Sequence, residues 1–137
     1  MQRVLLALGG LAIVVTSFFG TLSILNYSDI TARDSMRVEN AKVIIAAIQK
    51  YHASKGNYPL VPPGYDVRLT ELAPFLVGGG YLRAMPADPP GTEPIHYVSF
   101  AGNAFGLWLH LERSGQCIIE VGASKTGWWE QPPPCQL

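Results

Sequence analysis

The sequence predicts an α+β protein in which one long N-terminal helix, with a transmembrane half and an amphipathic half, packs on a small antiparallel sheet. Three observations predict this fold. Residues 4–25 carry no ionisable side chain. Residues 27–55 contain no proline or glycine and carry apolar side chains at helical spacing. Residues 96–121 carry strand signals between turn signals, and residues 105–112 alternate apolar and polar side chains.

The uncharged run, VLLALGGLAIVVTSFFGTLSIL, holds 22 residues, and a bilayer core takes about 20 helical residues to cross. Its glycine, serine and threonine residues suit a membrane helix, because small side chains let helices approach closely. The alternative is a cleaved signal peptide, whose apolar core runs about 7–15 residues and ends at a small-x-small site. The candidate site, Thr21-Leu22-Ser23, is poor. We predict a retained transmembrane anchor over residues 1–27 and an extracytoplasmic domain over residues 28–137.

Two observations bear on the orientation of the anchor. Arg3 lies before the span, whereas Arg33 and Arg37 follow it, so a literal positive-inside count would place the C-terminal side in the cytoplasm. Against this, Cys117 and Cys135 both lie in the C-terminal region, which suits a disulfide in an oxidising compartment. We expect the domain to lie outside the cytoplasm. The alternative, two free thiols in a cytosolic domain, stays open.

The amphipathic half of the helix continues directly from the span, which predicts one helix over about residues 4–55. Gly56 and the following Asn57-Tyr58-Pro59 are placed to end it. The apolar side chains fall three and four residues apart on one stripe: Ala41, Ile44, Ile45, Ile48 and Tyr51. We expect Ile44, Ile45 and Ile48 to be buried under the sheet.

The chain between the helix and the sheet has weaker signals. Residues 59–68 are interpreted as irregular, and a short helix, TELAPFL, is predicted from Thr70. Pro74 and the three glycines at positions 78–80 are expected to break it. Residues 85–94 hold four prolines and a glycine, which predicts a stiff, turn-rich link into the sheet.

Three strands in a meander are predicted over residues 96–100, 105–112 and 117–121, with turns at Gly102-Asn103 and Ser114-Gly115. In the middle strand the odd-numbered positions share one apolar face: Phe105, Leu107, Leu109 and Leu111. This face is predicted to cover the amphipathic half of the long helix.

No constellation of side chains points to catalysis. The chain has ten Lys+Arg and ten Asp+Glu, so no basic field argues for nucleic acid, and no small-molecule substrate is evident. His96 and His110 could face each other across a hairpin as half of a metal site, but we favour the interpretation of two surface imidazoles on a polar sheet face. We predict that the protein is not an enzyme and has no metal and no cofactor.

Two adjacent tryptophans, Trp128 and Trp129, are the candidates for contact with a partner. One could complete the core. The other, beside the prolines at positions 132–134, could stay exposed, where an aromatic side chain anchors a partner. Both interpretations stay open.

Three stretches resemble type IV pilins and the pseudopilins of type II secretion systems. Residues 41–60, AKVIIAAIQKYHASKGNYPL, are similar to the end of the pilin helix with its Gly-x-Tyr-Pro exit. Residues 81–100, YLRAMPADPPGTEPIHYVSF, are similar to the pseudopilin link into the sheet and its first strand. Residues 5–27, LLALGGLAIVVTSFFGTLSILNY, are similar to the pilin membrane half-helix.

This resemblance implies a pilin-like fold and a structural or interaction protein of the bacterial inner membrane, a single-pass subunit or accessory of a type IV pilus or type II secretion-like machine. Its implied partners are the membrane and other pilin-like or secretion-machine proteins. The alternative is a tethered extracytoplasmic binding module that reuses the fold without forming a filament. The Cys117 and Cys135 pair resembles the disulfide-bounded loop of type IV pilins.

Some features of the family are missing from the sequence. Prepilins carry Gly-Phe at the peptidase cut and a glutamate soon after, whereas here Gly10 precedes Leu11 and the glutamate's place falls near Leu8. A carboxylate in lipid is costly, so the family keeps it for assembly alone. The acid-rich calcium loop of major pseudopilins is also missing, since residues 122–135 offer only Glu130. Within the family, these departures favour the tethered module.

Overall fold

A computed structural model describes the backbone of residues 2–62, 66–122 and 132–135, and within these ranges the side chains from Asp29 onward. In chain order the elements are α1 (Gln2–Lys55), β1 (Val67–Arg68), a 3-10 helix (Leu69–Leu72), α2 (Ala73–Leu76), β2 (His96–Phe100), β3 (Ala104–Leu111) and β4 (Gly115–Gly122). The protein is therefore α+β, with a long N-terminal helix and a small antiparallel sheet, as predicted. The chain divides into two compact units, Met1–Arg33 and Asp34–Leu137.

The predicted membrane span, residues 4–25, belongs to the part of α1 whose side chains lie outside the described residues. Among the residues that are described, no helix carries a stretch long and apolar enough to cross a membrane.

The C-terminal end of α1 lies where the sequence predicts it. Gly56 has φ +79° and donates its backbone N–H to the carbonyl of His52 at 2.8 Å. A Cβ added to Gly56 would meet nothing within 4 Å. The glycine is therefore needed for its left-handed backbone conformation, which other residues adopt at a cost, and not for space.

The sheet has four strands in the order β1-β2-β3-β4, and all neighbouring strands are antiparallel. The sheet therefore has one strand more than the predicted three-stranded meander. Residues 59–68 are not wholly irregular, because β1 pairs Val67 with Tyr97 and Arg68 with His96. A two-residue strand is too short to show a period of two, so only the pairing with β2 reveals it.

The predicted short helix is also corrected. The chain first makes the 3-10 helix and only then one turn of α-helix, α2. Pro74 does not break this helix, because it is the second residue of α2, where a backbone N–H has no partner inside the helix. The glycines at positions 78–80 then follow, and Tyr81 donates its backbone N–H to Leu76 O at 2.8 Å.

The sheet covers the apolar stripe of α1 with one face, here called the inner face. The fully or nearly fully buried members of this core include Ile44, Ile48, Tyr97, Phe105, Leu107 and Leu109. Leu72, Leu76 and Ile95 close the same cluster from the connecting segments. The opposite side of the sheet, here called the outer face, carries His96, Trp108 and His110.

Candidate functional site

The predicted helix-packing residues lie at the core of the domain. Ile44 is 1% exposed and Ile48 is 0% exposed, and Ile45 and Tyr51 are partly buried against the same cluster. The Tyr51 ring meets the edges of two aromatic rings, with centroids 6.1 Å from Phe75 and 5.4 Å from Tyr81. This stripe is used by the domain itself, so it does not offer a surface to another protein.

A different side of α1 carries the exposed apolar side chains. Met36 is 52% exposed and Val43 is 47% exposed. They are seven residues apart, which places them two helical turns from each other on one side. Glu39 and Lys42 form an ion pair of 2.9 Å beside them. This side, the Met36–Val43 face, is part of the surface that α1 presents to solvent in the Asp34–Leu137 unit.

Asp34 joins α1 to the turn between β3 and β4. It is only 8% exposed, and its two carboxylate oxygens accept the backbone N–H groups of Glu112 at 2.8 Å and Arg113 at 3.1 Å. A buried carboxylate needs such partners, because leaving it without them would cost several kcal/mol. Asp34 therefore holds the end of the hairpin against the helix.

Arg37 joins α1 to the proline-rich link before β2. It is 1% exposed, and its Nη2 donates to the carbonyl of Glu93 at 2.5 Å. Its Nε is buried and has no hydrogen-bond partner among the described residues. One turn further on, Asn40 Nδ2 donates to the carbonyl of Ala87 at 2.9 Å.

The sequence carries a signal that Asp34 and Arg37 are buried. Counting back from Ala41 by four and then by three gives positions 37 and 34, so both residues continue the apolar stripe. A charged side chain on a buried stripe is expected to have a specific polar partner. The identity of those partners, which lie in distant parts of the chain, had no sequence signal.

Cys117 and Cys135 form a disulfide, as predicted, with Sγ atoms 2.11 Å apart. The chain around Cys135 runs parallel to β4 beside Ile118. Ile118 donates its N–H to Pro133 O at 3.0 Å, and Cys135 donates its N–H to Ile118 O at 2.9 Å. The disulfide and two backbone hydrogen bonds therefore fix residues 132–135 along the edge of the sheet.

The candidate partner contacts, Trp128 and Trp129, lie outside the described residues. What the structure describes is the two ends of the segment that carries them, Gly122 at the end of β4 and residues 132–135.

The two histidines of the sheet lie on the outer face but are not directly opposite each other. β2 and β3 pair His96 with Trp108, so His110 is its diagonal neighbour. Each imidazole has a carboxylate at its Nδ1: Asp66 for His96, and Glu93, 3.2 Å away, for His110. Within the described parts of the chain, no group of three or more His, Cys, Asp or Glu side chains is placed to hold a metal ion.

No protein-family model, no curated protein and no solved structure matches this chain.

Proposed function

We propose that the chain is a membrane-anchored, pilin-like structural or interaction protein, a subunit or accessory of a type IV pilus or type II secretion-like machine. This proposal is supported by the difference between the uncharged first half of α1 and its later half, which packs in the core. Residues 4–25 of this helix hold no ionisable side chain, which suits a bilayer. Its later residues, including Ile44 and Ile48, are buried in the core of a small α+β domain. One element thus supplies both an anchor and a scaffold.

Two further features support an extracytoplasmic interaction role. The Cys117–Cys135 disulfide is typical of secreted and periplasmic domains, since cytosolic thiols are kept reduced. The Met36–Val43 face places two large apolar side chains on the exposed side of α1, where a neighbouring helix would bury them. Because each side chain is already about half buried, covering the rest would contribute about 1 kcal/mol.

A tethered extracytoplasmic binding module that forms no filament is the second candidate. The observation that favours it is the absence of any acidic residue between positions 4 and 25, together with the lack of a Gly-Phe pair there. In the pilin family, peptidase processing uses the Gly-Phe pair and filament assembly uses the acidic residue. A tethered module requires neither processing nor assembly.

The anchor is tested by extraction of membranes that contain the full chain or a variant lacking residues 2–27. We expect the full chain to resist alkaline carbonate and dissolve in detergent, because its apolar run would lie within the bilayer. The shortened variant should remain in the aqueous fraction. Release of the full chain by carbonate alone would contradict the proposal.

Membership of such a machine is tested by photo-crosslinking in the native membrane, with a photoreactive residue in place of Val43. The matched control carries it at Gln49, which is exposed on a different side of α1. We expect Val43 to yield an adduct with a pilin-like or secretion-machine protein and Gln49 to yield none. Equal labelling at both positions, or none at either, would contradict membership of such a machine and favour the tethered module.

A further inference from the structure

His96 and His110 line one cavity of about 190 Å³ on the outer face of the sheet. Trp108 and Gln116 form part of its wall. The register places the two histidines diagonally on neighbouring strands, and diagonal Cα atoms in an antiparallel pair are about 7–8 Å apart. Two imidazoles at this separation are able to reach one ion between them.

A carboxylate stands at the Nδ1 atom of each ring. Asp66 Oδ2 pairs with Nδ1 of His96, and Glu93 Oε2 lies 3.2 Å from Nδ1 of His110. A carboxylate at Nδ1 favours the tautomer that carries its proton there, which leaves a lone pair on Nε2. Metal-binding histidines almost always have this kind of partner on the other ring nitrogen.

The two imidazole–carboxylate pairs differ in their hydrogen-bond geometry. Nδ1 of His110 is buried and has no hydrogen-bond partner among the described residues, although the Glu93 oxygen is close enough for an ion pair. The distance between Nδ1 of His110 and Oε2 of Glu93 is therefore short enough for a hydrogen bond, but the N–H does not point at the oxygen. The Glu93 side chain is 68% exposed, so a rotation that aligns the two groups meets little resistance.

We propose that His96 and His110 bind a divalent transition-metal ion through their Nε2 atoms, with Asp66 and Glu93 as the carboxylates that position the two rings. Imidazole nitrogen suits Zn²⁺, Ni²⁺ and Cu²⁺, whereas Ca²⁺ and Mg²⁺ prefer oxygen. A cavity of about 190 Å³ holds the ion and several waters at about 30 Å³ each. The protein thus supplies two nitrogen ligands, and water or the amide oxygen of Gln116 completes the coordination.

The charges around the cavity favour a cation. Asp66 and Glu93 both line it. The neighbouring positive charge in the sheet is Arg68, which β1 pairs with His96 and which is exposed to water. Screening by water weakens the repulsion from an exposed guanidinium, whereas the buried Arg37 guanidinium, which donates to the carbonyl of Glu93, offsets part of the field of the two carboxylates.

The test is calorimetric titration of the full chain in detergent with ZnCl₂ at pH 7.5. We expect saturable binding of one Zn²⁺ per chain. His96→Ala and His110→Ala should each abolish saturation over the same Zn²⁺ range. Asp66→Asn should weaken binding about 10-fold, as the loss of a positioning carboxylate does.

The matched control is His52→Ala, because His52 lies in α1 and stacks on Tyr58 with ring centroids 4.2 Å apart. This variant should bind Zn²⁺ as the unmodified chain does. A readout without any substitution is the NMR spectrum of the imidazole nitrogens, in which Zn²⁺ should shift Nε2 of His96 and His110 and leave His52 unchanged. An unmodified chain without saturable binding, or unchanged binding in the double variant His96→Ala/His110→Ala, would overturn the proposal.

Discussion

Tyr97 is a fully buried tyrosine whose hydroxyl is hydrogen-bonded inside the protein. Its side chain is 0% exposed, its ring stacks on Phe105 with centroids 5.7 Å apart, and its hydroxyl donates to the carbonyl of Pro59 at 2.7 Å. Burial raises the pKa of Tyr97 far above the ordinary value of 10.0, and a hydrogen bond with Ser99 offsets this only in part. The phenol therefore stays protonated in the folded protein.

This raised pKa makes stability fall at alkaline pH. Above pH 10 the unfolded chain loses the Tyr97 proton while the folded protein keeps it, so the free energy of unfolding decreases as pH rises. The full contribution is present below pH 10. We expect Tyr97→Phe to lower the free energy of unfolding by about 1 kcal/mol at pH 8 and to reduce the alkaline slope by up to about 1.4 kcal/mol per pH unit. Urea unfolding of residues 28–137 at pH 8 and pH 11 measures both, and equal slopes would contradict the account.

The disulfide between Cys117 and Cys135 is the second residue-level feature that contributes to stability. Cys117 and Cys135 are 18 residues apart in sequence, and closing such a loop stabilises a protein by about 3 kcal/mol through the unfolded chain. We expect the double variant Cys117→Ala/Cys135→Ala to lose about this amount in urea unfolding. Alkylation of the natively expressed protein under non-reducing conditions should label neither cysteine, and labelling of both would refute the disulfide in the cell.

At the scale of elements, α1 contributes most through its buried stripe. Ile48 is 0% exposed, whereas Val43 on the same helix is 47% exposed. We expect Ile48→Ala to lower the free energy of unfolding by about 2–5 kcal/mol, because it leaves a cavity in the core. The control, Val43→Ala, should change it by no more than about 0.5 kcal/mol. Equal effects in urea unfolding would show that the sheet does not bury this stripe.

Asp34 tests the junction between α1 and the β3–β4 turn. Its carboxylate accepts two backbone N–H groups, and Asp34→Ala would remove the acceptor of both hydrogen bonds. We expect a loss of about 1–3 kcal/mol. Glu39→Ala, at an exposed carboxylate paired with Lys42, should cost at most about 1 kcal/mol. Thermal unfolding of both variants measures the difference, which would vanish if the turn did not depend on α1.

The elements that the sequence predicted well are those with local signals. The end of α1 follows from Gly56, and the faces of β3 follow from an eight-residue alternation. The pairing of β1 with β2 joins Val67 to Tyr97 and Arg68 to His96, positions far apart along the chain, and no local sequence pattern indicates it. For the same reason Asp66 could not be connected with His96 before the register was known.

At the scale of the whole molecule, the proposed function requires one chain that suits two environments. The uncharged residues 4–25 suit lipid, and the Asp34–Leu137 unit has its own apolar core and disulfide. A small domain with a modest core gains from such a covalent tie. We propose that this unit is held at a membrane by α1 and faces away from the cytoplasm.

The most direct measurement of this claim is labelling of Ser54→Cys in the full chain with a membrane-impermeant maleimide. Ser54 is exposed in the last turn of α1, so the new thiol is accessible wherever the domain lies. In bacterial cells with a permeabilised outer membrane and an intact inner membrane, the account predicts that Ser54→Cys is labelled fully. Labelling only after the inner membrane is opened would place the domain in the cytoplasm and contradict the account.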